Sequence, residues 1–262
     1  FAGVTPWVEA ASVFNGTSRM TTSLAGKIVL VTGASRGIGY QAALEAGRRG
    51  AHVIAVARTI GGLEELDDEI QKAGSSATLV PMDLLEFDAI DRLGLAIFER
   101  WGHLDGFVAN AAMLSELRPL AHVEPKEFDK LMGLNVTANY RLVRSLDLLL
   151  RQSAAGRVVF VSSSSAHSAR PNWGPHAASK AAVEALAKSY AAEVGGITPV
   201  RVNAFYPGAV RTAMRAKAMP GENPDTLPRP AVLAPKLIDM IAPEFTENRM
   251  LFDWEKSELR PL

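Results

Sequence analysis

The chain has 262 residues, 28 basic and 28 acidic side chains that cancel to a formal charge of zero, and no cysteine. The balance excludes the basic stripe of a nucleic-acid or anionic-membrane binder. The missing cysteine excludes disulfides, thiolate metal sites and thiol nucleophiles, and fits a cytoplasmic compartment, with an organellar one still open. No apolar run approaches the roughly eighteen residues of a membrane span, so a soluble protein is expected, long enough to bury about three quarters of its unfolded surface.

Residues 1–19 precede Met20 and lack both the regions of a signal peptide and the arginines of a transit peptide. Three readings stand: a cloning remnant, a processed leader, or an arm that docks on another chain. The first β-branched run, residues 28–31, leads into Thr32-Gly33-Ala34-Ser35-Arg36-Gly37-Ile38-Gly39 and then a helical pattern over 37–49. Gly33 permits a tight turn, Gly37 and Gly39 allow close approach of backbone and helix, and the helix N-terminus offers N–H groups to a pyrophosphate. Strand, glycine loop and helix in this order point to a dinucleotide.

The second strand, residues 52–56, ends at Ala57-Arg58, where the dinucleotide fingerprint expects an acid for the ribose hydroxyl. No carboxylate stands there to repel a 2′-phosphate, and Arg58 and Arg36 are both placed to bind one, so NADP(H) is favoured over NAD(H). A helix over 61–73 and a strand over 77–80 follow, then a helix over 86–100 and a strand over 106–108. Next come a long helix over 124–150, opened by Pro125, and a strand over 157–161. A helix over 175–193 begins at Pro175 and stops at Gly195-Gly196. Strands over 200–205 and 249–252 close the series, with a helix over 230–242 between them. The proline-rich stretch 220–235 reads as an irregular insertion and a candidate lid.

Most of these seven runs are continuously apolar, as strands covered on both faces must be. Their alternation with helices predicts an α/β fold: one doubly wound, Rossmann-type domain over 20–262, with a seven-stranded parallel sheet flanked by helices and a site at its carboxyl edge.

Taken together, Thr32 to Gly39, Met82-Asp83-Leu84, Ala109-Asn110-Ala111-Ala112, Leu134-Asn135-Val136, Ser162 to Ser165, Ser179-Lys180-Ala181, and Arg201-Val202-Asn203 through Pro207-Gly208 and Thr212 resemble the short-chain dehydrogenase/reductase family over about residues 24–252. The resemblance implies that Asp83 and Leu84 meet the adenine, that Asn110 and Ala111 line the cofactor, and that Pro207, Gly208 and Thr212 hold the nicotinamide end. It also implies carbonyl–alcohol oxidoreduction on a small molecule, and a homodimer or homotetramer through the helices over 124–150 and 175–193. The sequence departs from the family at Ala109 and Ala112, where Asn and Gly are usual, and in lacking the usual Asp-Gly-Gly near its end.

The family's catalytic pair is Tyr-x-x-x-Lys, with a Ser thirteen residues before the Tyr and an Asn on the preceding long helix. Asn135, Ser163 and Lys180 match, but His176 stands at the Tyr position. A spacing of four places both members of the pair on one helix face, where the ammonium lowers the phenol's pKa and binds the ribose. Imidazole, ordinarily titrating near 6.5, is suited to acid work but shorter than phenol. Three readings stay open: a reductase using His176 as surrogate acid, a cofactor-binding pseudoenzyme serving as a structural or interaction subunit, or an altered copy of a Tyr enzyme. His167, Trp173, Met214 and Met219 are candidates for the substrate side. His52, His103 and His122 lack metal-ligand spacing, so no metal is expected.

Overall fold

The computed structural model describes residues 22–168 and 170–262, so the readings of residues 1–19 lie outside it. Its strands are β1 (Ile28–Thr32), β2 (His52–Ala57), β3 (Ser76–Pro81), β4 (Gly106–Ala109), β5 (Arg157–Val161), β6 (Arg201–Tyr206), β7 (Met250–Asp253) and β8 (Glu258–Pro261). They form a single sheet in the order β3-β2-β1-β4-β5-β6-β7-β8. The helices are α1 (Gly37–Arg48), α2 (Ile60–Lys72), α3 (Phe87–Trp101), α4 (Pro125–Met132), α5 (Ala138–Gln152), α6 (Gly174–Gly195), α7 (Ala213–Ala218) and α8 (Pro230–Asp239).

The continuous apolar strands serve two layers at once because successive side chains alternate faces. Val29 and Val31 of β1 pack with Leu63 and Leu66 of α2 and Leu237 of α8. Ile28 and Leu30 pack on the opposite face, with Ile90 of α3, Leu146 of α5 and Val183 of α6. β1, β4 and β5 are buried at every position, which is why their runs are almost wholly apolar. The strand order reverses at β1, with β2 on one side and β4 on the other. A crevice opens at such a reversal beyond the strands' carboxyl ends.

Three elements correct the sequence reading. The sheet has eight strands and not seven: β8 runs antiparallel to β7, with Leu251 opposite Arg260 and Phe252 opposite Leu259. Its Glu-Leu-Arg-Pro sequence is half-exposed, as an edge strand ending in proline allows, and so carried no apolar run to read. The long helix expected over 124–150 is interrupted by one wide π turn, Gly133–Thr137, a local register change to which hydrophobic periodicity is blind. Finally, α7 is too short to show a period; Thr212 starts it, its Oγ accepting a hydrogen bond from the Arg215 N–H at 3.1 Å.

Candidate active site

β1 ends in the glycine loop, and Gly33 adopts the left-handed backbone region, φ +68°. A Cβ there would come within 2.8 Å of the Asn110 amide nitrogen. Gly39, in the first turn of α1, is tighter still: its Cβ would overlap the Gly33 carbonyl oxygen and the same Asn110 amide. Glycine is therefore required at both positions for the loop to close on the segment after β4. Thr32 stitches that closure, its Oγ accepting from the N–H groups of Asn110 and Ala111, each at 3.0 Å. Asn110 answers by donating its side-chain N–H to the Thr32 carbonyl at 3.0 Å.

Around this loop lies a cleft of about 460 Å³. Of the residues the sequence assigned to the cofactor, Gly33, Ser35, Arg36, Gly37, Ile38, Arg58, Asp83, Leu84, Asn110, Ala111, Lys180, Pro207, Gly208 and Thr212 line it. Gly39 lies beneath, where its missing side chain matters more than any contact. Of the catalytic candidates, Ser163, His176 and Lys180 line the cleft and Asn135 does not.

Among the described residues no side chain caps α1, and its first turn holds no acid, which leaves its leading N–H groups to meet an anion. Arg58 stands at the mouth, 60% exposed, with its guanidinium 3.7 Å from Asp83. The other Asp83 carboxylate oxygen accepts from the Leu85 N–H at 3.0 Å. A narrow glycine cradle, a free helix N-terminus and two arginines together fit a dinucleotide carrying an extra phosphate.

At the far end, α6 presents His176 and Lys180 on one face. Lys180 is buried, donates from Nζ to the Val161 carbonyl at 2.7 Å, and has its pKa lowered to about 8 by burial, partly offset by Glu184. His176 is 5% exposed and pushed down to about 4, first by burial and then by the Lys180 charge, partly offset by a hydrogen bond with the Met113 backbone. It is therefore neutral at pH 7, and its Nδ1 is buried with no hydrogen-bond partner among the described residues. Trp173 meets its ring edge-on at 5.9 Å.

Asn135 sits in the π turn, 1% exposed. Its Oδ1 accepts from the Met113 N–H at 2.8 Å, and its Nδ2 donates to the Met113 carbonyl and the Ser179 hydroxyl, both at 3.0 Å. Its own carbonyl accepts from the Asn139 side chain at 2.6 Å. These bonds fasten the segment after β4 to the start of α6, so Asn135 braces the site from behind.

On the substrate side, Leu114, Trp173, Met214 and Ala218 line the cleft, whereas Met219 and the stretch 220–235 do not. The cover comes from α7 and not from the proline-rich insertion. His167 turns away from the cleft, its Nε2 lying 2.9 Å from Glu184. Leu114 and Glu184 escaped the sequence reading. Leu114 belongs to an irregular segment without a pattern, but Glu184 had a signal, a carboxyl one helical turn beyond Lys180.

A profile described as short chain dehydrogenase matches residues 27–223. The chain is 38% identical over 212 residues to the uncharacterized oxidoreductase YciK of Escherichia coli strain K12, covering 80% of this chain and 83% of that one. It is 36% identical over 200 residues to a hydroxynaphthalene reductase-like protein, Arp2, of Metarhizium acridum, covering 76% and 73%. A short chain dehydrogenase of Shigella flexneri, solved in complex with NADP, superposes with a TM-score of 0.84 at 36% identity, covering 89% of this chain and 98% of that one.

Proposed function

The chain belongs to the short-chain dehydrogenase family and is an oxidoreductase by that membership, and we propose that it interconverts a carbonyl and a secondary alcohol with NADP(H) as cofactor. The observation that carries this reading is the convergence of Ser163, His176 and Lys180 on the cleft that the glycine loop also lines. Arg36 and Arg58 support the phosphorylated cofactor, as does the Shigella relative solved with NADP.

When bound, the nicotinamide would supply or accept hydride at the substrate carbon. The chain's own residues handle the proton. Ser163 polarises the carbonyl oxygen by donating its hydroxyl. Lys180, held at about 8, is about 90% protonated at pH 7 and is the proton reserve. His176, held at about 4, is neutral, so one ring nitrogen bears a proton and the other a lone pair. It passes its N–H proton to the substrate oxygen while the other nitrogen takes one from Lys180. Alcohol oxidation runs the same transfers backwards. His176 thus serves as a neutral relay, in place of the imidazolium acid expected from an unperturbed histidine.

Leu114, Trp173, Met214 and Ala218 favour a neutral, apolar or aromatic substrate, since Arg215 beside them is already bound to Glu222 through two hydrogen bonds of 2.6 Å. Tyr140 and Leu148, exposed on α5, suit pairing of two copies through α5 and α6. Fluorescence titration with NADPH, beside turnover of aromatic ketones and their alcohols, tests the reading on wild type, His176→Tyr and His176→Ala. Binding is expected in all three, with turnover present in wild type, raised by Tyr and lost with Ala. Absence of NADPH binding would overturn the oxidoreductase reading. Binding with turnover only after Tyr is installed would replace the relay by a cofactor-binding subunit that does no chemistry.

A further inference from the structure

Glu184 lies on α6 one turn beyond Lys180 and two turns beyond His176, with its side chain 3% exposed. A carboxyl so deeply buried is costly unless its oxygens are occupied. One oxygen accepts from the Ser162 hydroxyl, and the other lies 2.9 Å from His167 Nε2. These two partners bracket Ser163: Ser162 immediately before it and His167 four residues after. Lys180 meanwhile donates to the carbonyl of Val161. The helix that carries the proton-handling residues therefore grips residues 161, 162 and 167 through two consecutive turns of one face.

We propose that Glu184 is a positioning residue that fixes the Ser163 turn against α6 and supplies the buried counter-charge to Lys180. The proposal rests on the catalytic reading of Ser163 and Lys180. Its geometry has two parts. Ser162 is held on its backbone side by donation to the Phe205 carbonyl at 2.8 Å, and on its side-chain side by Glu184, which leaves the neighbouring Ser163 little freedom to turn. Lys180 is buried with its Nζ on the Val161 carbonyl, and Glu184, one helical turn further along the same helix, is the group that raises its proton affinity against that burial. The titratable groups facing this pair are His176 on α6 and His167 on the turn.

The test follows the titration of Lys180 itself, by nuclear magnetic resonance on lysine-labelled protein with Lys180→Met as the assignment control. Wild type is expected to inflect near 8. E184Q keeps shape but removes charge, and is expected to lower that inflection by roughly one pH unit, while E184D, which keeps the charge, restores most of it. Where turnover is measured, the alkaline limb of the kcat profile moves with the inflection. An inflection unmoved in E184Q means a packing role alone and overturns the proposal. Should E184Q fail to fold, H167A at the half-exposed turn opens the carboxyl to water, and is expected to lower the inflection by about half a unit as solvent screens the charge. No change there is equally fatal. Because the titration needs neither cofactor nor turnover, a protein that binds no NADPH sinks the oxidoreductase reading without deciding this one.

Discussion

Replacing His176 by Phe should make the protein more resistant to acid, and the size of the effect follows from burial. In the unfolded chain an imidazole takes a proton below its ordinary value of 6.5; in the folded chain His176 does so only near 4. Between those values the unfolded state binds more protons, so stability falls as pH falls through the window, and nothing is lost above it. At about 1.4 kcal/mol per unit the whole difference is about 3 kcal/mol, of which about 2 kcal/mol falls between pH 7 and pH 4.5. Lys180, at about 8, is charged in both states throughout this range and drops out. Phe fills the same buried place beside Trp173 and removes Nδ1, which has no hydrogen-bond partner among the described residues. Urea unfolding of wild type and His176→Phe at both pH values measures the effect. The variant should lose about 2 kcal/mol less than wild type on acidification. Equal losses would refute the placement of His176 as a buried neutral ring.

Gly39→Ala should weaken NADPH binding at least tenfold, because a Cβ there displaces the Gly33 carbonyl and breaks the Asn110 contact; titration with NADPH checks it. Arg36→Ala with Arg58→Ala should cost NADPH roughly 2–3 kcal/mol of affinity and NADH little, read from the two dissociation constants side by side. Leu148→Glu on the exposed face of α5 should shift the protein to a smaller species in size-exclusion chromatography with light scattering, leaving the unfolding midpoint nearly unchanged.

The sheet and the cofactor cleft were legible in the sequence because each rests on short-range rules. Seven apolar runs between helical segments imply strands covered on both faces, and a glycine loop between the first strand and helix implies a phosphate cradle. The residues assigned to that cradle all line the cleft except Gly39, whose part is to have no side chain. The π turn at Gly133–Thr137, the edge strand β8 and the short helix α7 left no periodic trace, since each is defined by hydrogen bonds or by neighbours distant in the chain.

At the catalytic end, the sequence alone determined which residue types stand on one face of α6: an imidazole, an ammonium and a carboxyl at successive turns, because four-residue spacing on a helix fixes that alignment. Only the tertiary structure decided their charges. His176 is neutral and Lys180 titrates near 8 because the folded chain buries both side chains, and His176 also feels the Lys180 charge. Glu184 acts on the Ser163 turn because β5 delivers Ser162 to its oxygen from 22 residues away. Desolvation depends on everything packed around a group, and no local stretch of sequence contains it.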